Sequence, residues 1–226
     1  MIYEQLVLRE YLAYRLLHKL TPRSFGVRLM RITYLNTESK RKRVRFGFVI
    51  EENDAVAKRN GMKIANVGLI TENYVEPEQA SLIHVFQYMI GNTEYSVLRP
   101  EPKKDCCHNA DLMAPKGESL YTPLAYDFDF AGLVNAPYAE PNPRYELASV
   151  HIRLFKGNCQ YDEQLQATLR YFHEKKAALY QLIDDLDPLK GLSKSAVKSY
   201  IDAFYERIET SADVEKWLID KCYKAS

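Results

Sequence analysis

The feature that most constrains the fold is a change of period along the chain, from strand spacing early to helix spacing late. From Val27 to Leu35 the chain alternates as Val27, Leu29 and Ile32 to Leu35, with Arg28 and Arg31 interleaved. Val44 to Ile50 is a second β-rich stretch, ending at Glu51-Glu52, and the polar link Asn36-Thr37-Glu38-Ser39-Lys40 reads as a hairpin turn. In the last third, Leu165, Leu169, Phe172, Leu179, Ile183 and Leu186 form one helical stripe, which Pro188 and Gly191 break. Val197, Ile201, Phe204 and Ile208 form another, and a final helix opens at the capping pattern Thr210-Ser211-Ala212-Asp213 and carries Val214, Trp217 and Leu218. A small sheet first and helices later predict an α+β fold.

The remaining segments fit that order. Leu6, Leu12, Leu16, Leu17 and Leu20 predict a helix over residues 3–20, stopped by Thr21-Pro22. A short helix is expected over 54–60, closed by Asn60-Gly61. Pro77 opens a stronger one with Leu82, Ile83, Phe86, Met89 and Ile90 on one face, closed by Gly91-Asn92. Residues 92–119 read mostly as loop, and loops of that length are often functional. Leu120 to Phe130 reads as a strand running into a turn.

A length of 226 residues permits one large domain or two small lobes. The formal net charge of +1 gives no sign of a polyanionic partner, so nucleic-acid binding is not expected. No apolar run reaches the roughly 18 residues that span a bilayer, so no membrane span is expected. The start Met1-Ile2-Tyr3-Glu4-Gln5 lacks the pattern of a signal peptide, which predicts a cytoplasmic protein unless a longer parent is exported. An excess of tyrosine, 17 residues, hints at a contact face. Cys106, Cys107, Cys159 and Cys222 lack zinc-site spacing and are expected to be free thiols, with a bridge from Cys106 or Cys107 to Cys159 as the alternative on export. His84 and His151 read as packed or surface side chains, and Lys40 to Arg43 with Arg45 as a solvated hairpin tip.

The chemistry centres on Tyr126-Asp127-Phe128-Asp129-Phe130. On a strand, Asp127 and Asp129 would share one face while the aromatic residues pack the other. Two neighbouring carboxylates repel each other and call for a cation, and a hard divalent ion bridging to phosphate oxygens meets that need. The bland alternative is that one aspartate caps the turn before Gly132 and the other is solvated. Upstream stand Asn109, after His108, and the polar cluster Asn92-Thr93-Glu94 just past a helix end. A carboxylate, then an asparagine, then an aspartate at a strand-turn is the order a phosphotransferase of the protein-kinase type uses.

Three blocks also resemble a known family: Phe86 to Ser96, Cys106-Cys107-His108-Asn109, and Tyr126 to Tyr138. They are similar to bacterial proteins distantly related to the spore-coat-protein-H type of atypical protein kinase, over about residues 8–160. The resemblance implies a kinase-like fold with a reduced N-terminal lobe (1–60, helix plus hairpin) and a helical C-terminal lobe (61–226). It implies an ATP-dependent enzyme that uses magnesium or manganese to phosphorylate a protein hydroxyl. By position, Asp127 resembles the metal-binding aspartate, Asn109 the second metal ligand and Asp129 the second acid of the turn. Glu94 stands where the family has its catalytic aspartate, with Asp105 as a fallback, and Glu51 with Glu52 marks the strand end leading to the nucleotide. The family's phosphate-contacting lysine lies upstream of the first helix, where Glu10 would be its partner, and this chain opens at that helix. The alternative is therefore a catalytically inactive kinase-fold protein that binds a nucleotide or a partner protein.

Overall fold

The computed structural model describes residues 2–68, 70–98 and 107–223. The first helix, α1 (Ile2–Leu20), buries Leu8, Leu12, Leu16 and Leu17 completely, because these leucines recur at helical spacing along one stripe. β1 (Val27–Leu35) and β2 (Lys42–Ile50) pair antiparallel from Val27↔Ile50 to Leu35↔Lys42. The Asn36 side chain closes their turn by accepting from the backbone of Glu38 and Ser39, and the basic residues at the tip are exposed, as expected. One face of this hairpin leans on α1, where Phe48 meets the rings of Tyr11 and Tyr14 at 5.9 and 5.6 Å.

After the short α2 (Asn53–Arg59), the chain turns at Gly61, whose φ of 72° suits a residue without a side chain. β3 (Lys63–Ile64), β4 (Ala110–Ala114) and β5 (Thr122–Ala125) form a second antiparallel sheet in that order. β4 lies inside the stretch that reads as loop from sequence. It is only five residues long, and it holds because Ala110, Leu112 and Met113 are buried.

α3 (Pro77–Ile90) is the central helix. Glu76 caps it by accepting from Gln79 N at 2.8 Å, and Gly91 ends it at φ 68°. It is buried nearly all round, between β5 on one side and the C-terminal helices α4 (Asp162–Asp184) and α5 (Gly191–Glu206) on the other. The last helix, α6 (Ser211–Trp217), is capped by the Thr210 hydroxyl, which accepts from Asp213 N as the sequence pattern predicts.

Tyr200 of α5 locks this packing. A Cβ on Gly91 or Gly132 would run into its hydroxyl group, Gly132 N donates to Gly91 O, and the Arg153 guanidinium lies 3.6 Å over its ring. One contiguous apolar core runs from α1 through α3 to α6, and mixed helix and small sheets make the fold α+β. Among the described residues no helix is long and apolar enough to cross a membrane.

The cysteines depart from expectation. Cys159 bonds Cys222, with Cα atoms 5.2 Å apart, and Cys107 is also disulfide-bonded. Neither free thiols nor a bridge from Cys106 or Cys107 to Cys159 describes the molecule. The reason is tertiary: three helices return the chain so that Cys159 N donates to Tyr223 O and Tyr223 N to Gly157 O. Spacing alone could not show a partner 63 residues away. Cys106 lies outside the described residues.

Candidate functional site

The site is built at the open end of the β4–β5 hairpin. Its last pair is Ala110↔Ala125, and one more bond, Tyr126 N to Asn109 O at 3.1 Å, closes the ladder. Beyond it, Asn109 and Asp127 both adopt left-handed backbone conformations, at φ 48° and 59°. Asn and Asp tolerate that region better than other side chains, and such strain clusters where geometry matters for function.

Asp127 therefore lies in the turn into which the strand at 120–130 runs, and not on the strand itself, where it would share a face with Asp129. Its backbone N–H donates to the Tyr14 hydroxyl of α1 at 2.8 Å instead of continuing the ladder. Phe128 then turns fully inward between Tyr14 and Phe86, with ring centroids at 4.6 and 5.5 Å. The alternation of acids and aromatic rings is thus realised in a turn. The acids are still brought together: Asp127 and Asp129 interact through their side chains, and Asp129 also accepts from the Tyr138 hydroxyl at 3.2 Å.

Glu10 of α1 joins them. Its carboxyl is pushed up to about 7, by burial first and then by the charges of Asp129 and Asp127. The Asp127 carboxyl is pushed up to about 6 by partial desolvation, then by Asp129 and Glu94, while His108 pulls the other way. Glu94 sits on the second side of the site. Asn109 Nδ2 donates to its backbone carbonyl at 2.8 Å, its N–H donates to Asn92 Oδ1, and its carboxylate lies 3.7 Å from His108 Nε2. Glu94, Asn109 and Asp127, scattered over 34 positions of sequence, are thereby held in one neighbourhood.

Among the described residues no group of three or more His, Cys, Asp or Glu side chains is gathered closely enough to hold a metal ion unaided. A magnesium ion does not require one, since it commonly takes one or two protein carboxylates and completes its shell with phosphate oxygens and waters. The donors here fit that habit: two hard carboxylates, Asp127 and Asp129, and the amide oxygen of Asn109, whose nitrogen is already engaged by Glu94.

The other residues singled out from sequence lie elsewhere. Glu51, at the end of β2, accepts from Gly26 N and from Arg59 Nε at 2.9 and 3.0 Å. Partial desolvation works against its ionised form, but the bonds from Arg59 and Gly26 outweigh it and hold its pKa below the usual value. Glu52 stands at the cap of α2, where its carbonyl accepts from Ala55 and Val56. Asp105 lies outside the described residues. His84 is packed against Tyr95, with Nδ1 2.7 Å from its hydroxyl, and His151 is exposed beside Tyr200.

Sequence reasoning missed Lys156. Its Nζ donates to the carbonyls of Thr93 and Tyr95 at 2.7 and 2.6 Å and lies over the rings of Tyr95 and Tyr145. Burial pushes its pKa down to about 7, the charge of Arg144 adds to that, and Glu94 opposes it. The abundance of tyrosine was the nearest signal, because two of those rings form its surroundings. No known family model matches the chain, and no curated protein or solved structure shows significant similarity to it.

Proposed function

We propose that this protein is a metal-dependent, kinase-like phosphotransferase that uses ATP to phosphorylate a hydroxyl on a protein. The observation that supports this best is the pairing of Asp127 with Asp129, whose charges reach Glu10, at a turn where Asn109 and Asp127 are held in left-handed conformations. Crowded carboxylates with raised proton affinity are an arrangement that a divalent cation relieves. On this reading Asp127, Asp129 and Asn109 hold magnesium or manganese, which screens the phosphate charge. Glu94 orients the acceptor hydroxyl and takes its proton. The hydroxyl oxygen bonds to the γ-phosphorus as the bond to the bridging oxygen of ADP breaks. Glu51 and Glu52 mark the strand end where the family resemblance puts the nucleotide. The Cys159–Cys222 bond supports action in an oxidising compartment rather than the cytoplasm.

A second reading, nucleotide or partner binding without turnover, draws support from Glu10: the two charges acting on it are both negative. Thermal unfolding with ATP and magnesium, followed by transfer of labelled phosphate to a protein acceptor, separates the two. The enzyme reading expects a stabilising shift and transfer that are both lost in Asp127→Asn. A shift without transfer supports the second reading, and no shift in the parent protein refutes nucleotide binding in both.

A further inference from the structure

A cavity of about 760 Å³ opens on the side of Glu94 away from the acids of the turn. Glu94 and His108 line it, whereas Asp127, Asp129 and Asn109 do not. Yet Glu94 acts electrostatically on Asp127 in one direction and on Lys156, in the cavity wall, in the other. The candidate base therefore stands between the acidic turn and an open cavity. That volume falls within the roughly 300–1,000 Å³ typical of ligand sites, enough for a short stretch of peptide.

The chemistry of the wall indicates what would enter. Arg144 and Lys156 repel each other across it, which an anionic group between them would relieve. Lys156 carries three protons and gives two of them to the carbonyls of Thr93 and Tyr95. Tyr95, Tyr145 and Phe155 supply flat apolar surface around these donors. Two cations, Arg144 and Lys156, beside an aromatic floor suit a carboxylate-bearing peptide that keeps clear of the wall's own acids, Glu94 and Asp220.

We infer that this cavity is the acceptor site and that it takes a peptide whose hydroxyl residue is flanked by acidic side chains, one carboxylate lying between Arg144 and Lys156. Its role as an acceptor site rests on the phosphotransferase reading, but its ligand class does not, so binding is measured without nucleotide or metal. The probes are three fluorescein-labelled pentapeptides with a central serine flanked on both sides by glutamates, glutamines or lysines, read by fluorescence anisotropy. The glutamate peptide should bind roughly tenfold or more tightly than the glutamine peptide, and that advantage should disappear in Lys156→Gln and in Arg144→Gln. Arg144 is exposed, so its substitution keeps the test decisive even if Lys156→Gln folds poorly. Equal binding of the glutamate and glutamine peptides, or binding unchanged in Arg144→Gln and in folded Lys156→Gln, overturns the inference. Selective binding of the glutamate peptide without phosphate transfer to its serine, in a protein that transfers phosphate to another acceptor, overturns the acceptor role. Selective binding in a protein that transfers to no acceptor overturns the phosphotransferase reading and leaves the ligand class standing.

Discussion

Replacing Lys156 with methionine should change how stability responds to pH, in a direction fixed by its surroundings. In the unfolded chain this lysine holds its proton to an ordinary 10.5, whereas in the fold burial brings that down to about 7. Between these values the unfolded state binds one more proton than the folded state, so the free energy of unfolding rises with pH. Below about 7 both states are protonated and the full cost of burying the charge is present. Each pH unit in the window is worth about 1.4 kcal/mol at most. Partial exposure of Lys156 and the nearby Glu94 reduce the gain from about pH 7 to about pH 9 to about 2 kcal/mol. Lys156→Met also removes the bonds to the Thr93 and Tyr95 carbonyls, but that loss does not vary with pH. The quantity to follow is thus the difference between the two proteins in urea unfolding at several pH values. The wild type should gain about 2 kcal/mol on the variant over this range, or about 4–8 °C in Tm for a chain of this size. A difference that stays flat with pH would show that the ammonium is solvated, and with it the account of the cavity wall would fall.

Three other outcomes follow from named contacts. Tyr14→Phe removes the acceptor for Asp127 N, so it should lower stability by about 1–2 kcal/mol and weaken any magnesium–ATP thermal shift; an unchanged shift would mean that Tyr14 does not position the turn. Gly91→Ala combines a left-handed backbone with a collision at the Tyr200 hydroxyl and should cost about 2–4 kcal/mol in chemical denaturation. Adding Tyr200→Phe should recover only the part due to the collision. Reducing Cys159–Cys222 releases a loop of 63 residues, so the reduced protein should be less stable by about 4 kcal/mol in a thermal melt with dithiothreitol.

The elements that could be read from sequence are those whose signals are local. Pro77 and Gly91 bracket α3, the leucine stripe marks α1, and Thr210 announces α6, because caps and periodicity act within one or two turns. The two acids were recognisable as a pair, but their geometry was not. The ladder stops after Tyr126 because a hydroxyl 113 positions upstream takes the N–H of Asp127, and no window around residue 127 contains Tyr14. Glu51 drew notice as an acid at a strand end, yet its partners, Gly26 and Arg59, explain it structurally. Lys156 escaped notice because what distinguishes it is burial against two carbonyls, a property that exists only once the chain has closed around it.

The bond between Cys159 and Cys222 makes a covalent ring of the segment that carries all three C-terminal helices. A protease that cuts the turn between α4 and α5, at residues 185–190, would leave two pieces still joined, visible as separate bands only after reduction. The cut ends would stay at high effective concentration, so the helices could find their places again. The stretch of cavity wall formed by Asn158, Cys222 and Tyr223 belongs to the clasp of that ring. Damage to the helical bundle would thus tend to spare the cavity, whereas a reductant would reach it directly.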